Sequence, residues 1–412
     1  MKNFIAHTDE TRNEMLESIN CKAVEDLFKQ VPIKFKDFKI ANPLSEMETQ
    51  KRLKALARKN GTEKSCFLGG GVYNKFIPAG VNYIAQRMEF LTAYTPYQPE
   101  ISQGTLQVIY EYQTMISRIT GMDIANASMY DGGSACAEAV LMAHRLSKGK
   151  KNKCLVSNAL NPEYKEVVKT YCHAQDIDID WFDTLPESCE NYFCVLEQYP
   201  NYYGEIKKLY KPDTIFIVCA NLSALSVITP PKEADIVVGD IQPLGISMNF
   251  GGPHAGYMAC KEAYMRQMPG RLVGATLDSD GNRAYTLTIQ TREQHIKREK
   301  ATSNICSNQS LIALSATVYL SLVGEKSFKQ IGQLSAYNAH KLSDGLAKKG
   351  IKTLNKNFFN EFVIEVENSD EFLLKLSRAN ILGGIKLDNK HILVCATEMN
   401  SEEEINNYIN II

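Results

Sequence analysis

The chain has 412 residues, enough for a large domain with a full core and a smaller one beside it, and its 44% hydrophobic and 23% charged content is that of an ordinary globular protein. Lys and Arg number 46 against 47 Asp and Glu, so the net charge of −1 excludes a global field for nucleic acid or anionic lipid. No apolar run reaches the roughly eighteen residues of a bilayer span, Met1 to Glu10 lacks a signal-peptide pattern, and the closest pair among 11 cysteines, Cys189 and Cys194, lacks CxxC spacing. The expectation is a cytoplasmic protein with no membrane segment, no nucleic-acid partner and no metal.

In chain order, residues 9–18 and 22–30 carry apolar residues at helical spacing, with Pro32 and Pro43 as breakers, so residues 1–60 read as a helical arm. Residues 45–59 form a charged helix with Ser45 at its cap and Gly61 at its end, followed by the turn Leu68-Gly69-Gly70-Gly71. From 61 to 310 short β-rich runs alternate with helical ones. The strands fall at 153–157, 177–182, 193–196, 214–220, 235–239 and 256–260, with helices over 138–146 and 162–173. This predicts an α/β domain with a mainly parallel sheet. Residues 311–323 and 326–349 read as two linking helices, and 311–412 closes with strands at 362–366 and 391–395 around a helix at 370–379, a small α+β domain. No internal repeat is visible.

Two segments are too specific for scaffold. Residues 94–104 place two prolines among Tyr94, Thr95, Tyr97, Gln98, Glu100 and Gln103, a stiff loop with several hydrogen-bonding ends. Packing ahead of a helix that begins near Thr105 would account for it equally well. Residues 290–304 gather Arg292, His295, Lys297, Arg298 and Lys300 before Thr302-Ser303-Asn304. That charge suits a phosphate or carboxylate, or makes a solvated face partly neutralised by Glu293 and Glu299.

The motifs YTPYQPEISQG, TGMDIANASMYDGGSACAEA, ADIVVGDIQPLG with FGGPHAGYMAC, and TREQHIKREKATSNIC, in this order across most of residues 60–310, resemble the N-terminal half of glycine decarboxylase, the P-protein of the glycine cleavage system. The resemblance implies the aminotransferase-like fold of pyridoxal phosphate enzymes (fold type I), with active sites at a dimer interface. That fold needs a lysine on the turn after strand 235–239 and a carboxylate at the end of strand 214–220. No lysine occurs between Lys232 and Lys261, Leu244 stands nearest the expected place, and Ala220-Asn221-Leu222 carries no acid. The loop Asp131-Gly132-Gly133-Ser134 has a shape able to hold a phosphate but reads better as a helix cap.

These absences imply the subunit without the lysine in the two-subunit form of the family. Its beta partner would hold pyridoxal phosphate, and an α2β2 assembly would decarboxylate glycine and pass the aminomethyl group to lipoylated H-protein. By motif position Tyr94, Thr95, Tyr97, Gln98, Glu100 and Gln103 would face substrate across the interface. Arg292, His295, Arg298, Thr302 and Ser303 would reach the partner's cofactor, or form an interface salt-bridge cluster. His254 reads as a turn-shaping residue. An independent pyridoxal enzyme of the aminotransferase or desulfurase type, and a catalytically empty scaffold or regulatory homologue, are the competing readings.

Overall fold

The computed structural model describes residues 7–32, 40–61, 63–306 and 308–412; residues 1–6, on which the signal-peptide reading partly rests, lie outside them. Two compact units divide between residues 62 and 63.

In the first unit Asp9–Ser18 is helical, and Thr8 accepts the Thr11 N–H at 3.2 Å to cap it. Glu46–Ala57 starts from a capping box in which Ser45 and Glu48 exchange side-chain-to-backbone bonds. The helix expected over 22–30 shrinks to a 3₁₀ turn, Val24–Phe28. Asp26 explains this, because its carboxylate takes the N–H groups of Lys22 and Ala23 at 2.8 and 3.1 Å and tightens the chain locally.

The second unit is built on a seven-stranded sheet with the spatial order Ile124–Ala125, Gly256–Cys260, Ile236–Asp240, Ile215–Ala220, Cys194–Tyr199, Lys153–Ser157 and Asp178–Phe182. Gly256–Cys260 pairs antiparallel with both of its neighbours, and the five strands from Ile236–Asp240 onward pair in parallel. Side chains of successive residues enter opposite cores. Phe216 and Val218 join Tyr112, Ile116 and Tyr319 on one face, and Ile217 and Cys219 join Ala139, Val140 and Met258 on the other. Burial of both faces is why these strands read as continuous apolar runs. Helices Gly132–Leu146 and Pro162–His173 cover one face, while Gln103–Thr120 and the start of Ser310–Lys348 cover the other. The fold is α/β with a mostly parallel central sheet, as the sequence indicates.

A hairpin, Leu272–Leu277 with Arg283–Thr288, is absent from the sequence reading. Its turn is tied by Asp278, which accepts the N–H groups of Asp280 and Asn282.

The helix Ser310–Lys348 breaks at Gly324 (φ 68°, ψ 168°), matching the two consecutive helices read from the sequence. Uninterrupted it would be, among the described residues, the one helix long and apolar enough to cross a membrane, which the sequence reading did not single out. The break and the burial of Ala316, Tyr319 and Leu342 tie it to the protein's own cores. Its second half packs on an antiparallel four-stranded sheet ordered Lys352–Thr353, Glu361–Glu365, His391–Cys395 and Ile385–Lys386. Phe67, at the other end of the unit's sequence, sits in the same core with Phe362, Val394 and Tyr408.

Candidate active site

Two places bring chemistry-bearing residues together. The first lies at the C-terminal ends of the parallel strands, where open α/β sheets receive ligands. A cavity of about 30 Å³ is lined there by Tyr73, Asn161, Tyr164, Asn221 and Asp240, among others. Ligand pockets typically enclose roughly 300–1,000 Å³. Several of the polar groups around it bond within the chain: Asn161 donates its N–H to Gln198 at 2.7 Å and its side-chain amide to the Gly70 carbonyl at 3.0 Å. Asn221 turns its carbonyl to the Ser223 N–H at 3.0 Å. Leu244 is fully buried. At the head of helix Gly132–Leu146, Asp131 accepts the Ser134 N–H at 2.7 Å and Asp240 accepts the Gly132 N–H at 3.1 Å. The helix N-terminus thus meets two carboxylates of this chain, in keeping with a cap.

Loss of solvent pushes the Asp240 carboxyl up to about 6, while its bonds from Gln242 and Gly132 pull the other way. Glu361, from the small sheet, closes the same corner: it accepts the Gly70 N–H and, at 2.7 Å, the Tyr73 hydroxyl, and burial pushes its carboxyl up to about 7. The residues at this corner do not fit pyridoxal phosphate. The volume is too small, the turn offers no amine, and Gly132, which would donate to a phosphate, donates to Asp240. His254 has its Nε2 3.2 Å from the Met248 carbonyl, within its own turn. Among the described residues no cluster of His, Cys, Asp and Glu could hold a metal ion.

The second place joins the two loops singled out by composition. Arg271 is buried at its centre. Its guanidinium donates to the Tyr97 hydroxyl at 3.2 Å, lies 5.4 Å from that ring's centre, and sits 3.6 Å from the Glu293 carboxylate. His295 packs edge-on against Tyr97, ring centres 5.3 Å apart, and its Nδ1 is 3.9 Å from the same carboxylate. One oxygen of Glu293 is buried with no hydrogen-bond partner among the described residues. Arg271, Glu293 and Asn308, which accepts from Arg271 at 3.4 Å, were not among the expected site residues.

The other expected residues divide by direction. Tyr94, Gln98, Glu100 and Arg298 face outward, and Tyr94 is 78% exposed. Thr95 is half-buried. Gln103 instead spends its amide on the backbone, donating to Pro99 and Tyr285 and accepting the Tyr285 N–H at 2.8 Å. Arg292 turns inward to the carbonyls of Ile289 and Gly270, at 3.1 and 3.0 Å. Ser303 donates to Glu138 at 2.6 Å, and the Thr302 N–H bonds the Arg292 carbonyl. Gln103, Arg292 and Ser303 therefore shape the loops from within.

Comparison with known proteins agrees with this architecture. The family model described as glycine cleavage system P-protein matches residues 2–412. Among relatives, the "probable glycine dehydrogenase (decarboxylating) subunit 1" of Geobacillus thermodenitrificans is 44% identical over 99% of this chain and 98% of its own length. The protein of the same name from Desulforamulus reducens is 46% identical over 98% and 97%. Among solved structures, an inhibitor-bound glycine decarboxylase (P-protein) of the glycine cleavage system superposes with a TM-score of 0.89 at 38% identity, covering 99% of both chains. An aspartate aminotransferase from Thermus thermophilus, at 11% identity and a TM-score of 0.57 over 84% of this chain and 97% of that one, shares the fold alone. The chain belongs to the glycine cleavage system P-protein family.

Proposed function

We propose that this chain is the subunit of a two-chain glycine decarboxylase that carries no covalent cofactor, and that it completes an active site whose pyridoxal phosphate is held by a homologous partner. The observation that carries the reading is the corner at the strand ends, closed to about 30 Å³ and without an amine on its turn. The relatives' shared designation as subunit 1 supports the existence of a partner. When bound to the partner, the cofactor supplies an electron sink for loss of carbon dioxide from glycine. The aminomethyl group then passes to lipoylated H-protein.

This chain's contribution is positioning. Tyr94, Tyr97, Gln98 and Glu100 offer hydroxyl, amide and carboxylate groups on a proline-stiffened loop, aimed outward at the partner's substrate. The buried Arg271 holds Tyr97 from behind, so the loop needs little ordering when the partner docks. His295 and Arg298 are exposed on the second loop, and their basic side chains suit an approach to the partner's cofactor. We assign residues 1–60 as an arm, 61–310 as the large domain and 311–412 as the linking helices and small domain, within an α2β2 assembly. Reconstitution tests the reading: glycine–bicarbonate exchange should require both chains, and exchange by either chain alone at the rate of the pair would overturn it.

A further inference from the structure

The polar groups at the strand-end corner form an unbroken line between the seven-stranded and the four-stranded sheet. Asp240, the last residue of its strand, turns one carboxylate oxygen to the Gly132 N–H at 3.1 Å and the other to the Gln242 N–H at 2.7 Å. Gln242, fully buried, grips Tyr73 by both backbone groups, accepting from its N–H and donating to its carbonyl at 2.9 Å each. The Tyr73 hydroxyl then donates to Glu361, the first residue of a small-sheet strand. Above the helix start sits Tyr164, whose hydroxyl would lie 2.3 Å from a Cβ placed on Gly132. The N-terminus of a fifteen-residue helix favours an anion, and Gly132 offers the N–H that such an anion would use.

We infer that Asp240 and Tyr164 are a built-in replacement for an anionic ligand: the carboxylate takes the seat that a phosphate ester would occupy at the helix N-terminus, and the phenol fills the space above it. The seat thereby becomes a structural tie linking the Gly132–Leu146 helix, the large sheet and, through Gln242, Tyr73 and Glu361, the small sheet. The inference rests on the reading that this chain holds no cofactor, and it adds that the missing lysine is not the sole obstacle. A lysine introduced by Leu244→Lys alone leaves the phosphate seat taken.

Inorganic phosphate and pyridoxal phosphate, titrated separately into the full-length chain by calorimetry, test this, with circular dichroism as a check on folding. The wild type and Leu244→Lys should show no saturable binding, and the double variant Asp240→Ala/Tyr164→Ala should bind phosphate about tenfold more tightly or better. A folded double variant that gains no binding would overturn the inference, as would a wild type that binds phosphate as tightly as the variant. Amide hydrogen exchange on the wild type needs no variant. Gly132 should be protected equally with and without phosphate, whereas free exchange at Gly132, or slowing by phosphate, contradicts an internal occupant. These readouts are independent of turnover: exchange activity in the partner alone would sink the proposed function and leave the titration result standing.

Discussion

The strand-end corner and the loop pair hold similar inventories of tyrosine, carboxylate and amide, yet they treat them in opposite ways. At the corner a chain of polar groups meets partners from the same chain: Asp240 with Gly132 and Gln242, Gln242 with Tyr73, Tyr73 with Glu361. In the loop pair the inner layer is engaged, through Arg271, Gln103 and Arg292, while Tyr94, Gln98 and Glu100 point away from the protein. Polar groups bonded inward stabilise a fold, whereas polar groups held rigidly outward are available to a neighbour.

The largest effect is expected from cutting the layer beneath the loops. Arg271→Ala leaves the Glu293 side chain, only 9% exposed, without its cation, and the expected loss of stability is about 3–5 kcal/mol in denaturant unfolding. Adding Glu293→Gln should recover part of that loss; a single-variant loss below about 1 kcal/mol would mean that the pair does not support the loops.

The corner makes a pH-dependent prediction. Burial raises the Glu361 carboxyl from 4.5 to about 7, so between those values the native state binds a proton that the unfolded chain has released. The stability linked to this group is fully present below about 4.5 and is lost as pH rises through about 7, a fall of roughly 3 kcal/mol. Asp240 adds a smaller fall that ends near pH 6. Melting curves of Glu361→Gln should keep the Asp240 component and lose the decline between about pH 6 and 7, while an unaltered profile would show that Glu361 makes no such contribution.

The smallest effect belongs to the outward layer. Tyr97→Ala or Gln98→Ala in the reconstituted pair should lower turnover about tenfold with assembly intact. Unchanged turnover would favour the scaffold reading, in which this chain holds its partner without touching the chemistry.

The fold was legible because burial of both sheet faces writes itself as apolar runs, and strands such as Lys153–Ser157, Gly256–Cys260 and His391–Cys395 match their expected bounds. The hairpin Leu272–Leu277 with Arg283–Thr288 was not, since its pattern changes from buried Leu272 to exposed Leu277 within one strand. At the candidate site, composition marked the two loops, but it could not tell which side chains turn inward. Gln103 looks as available as Gln98 until the chain 182 residues later brings Tyr285 to its amide. Arg271 had no signal, because a single arginine before an apolar strand has no spacing to give it away. Asp240 lies in a quoted motif, but its partner, Gly132, is 108 residues distant.

Borohydride reduction of the reconstituted pair, followed by peptide mapping of the pyridoxyl label, locates the cofactor's lysine. Label is expected on a lysine of the partner and none on this chain. Stoichiometric label on a lysine of this chain would contradict a cofactor held by the partner.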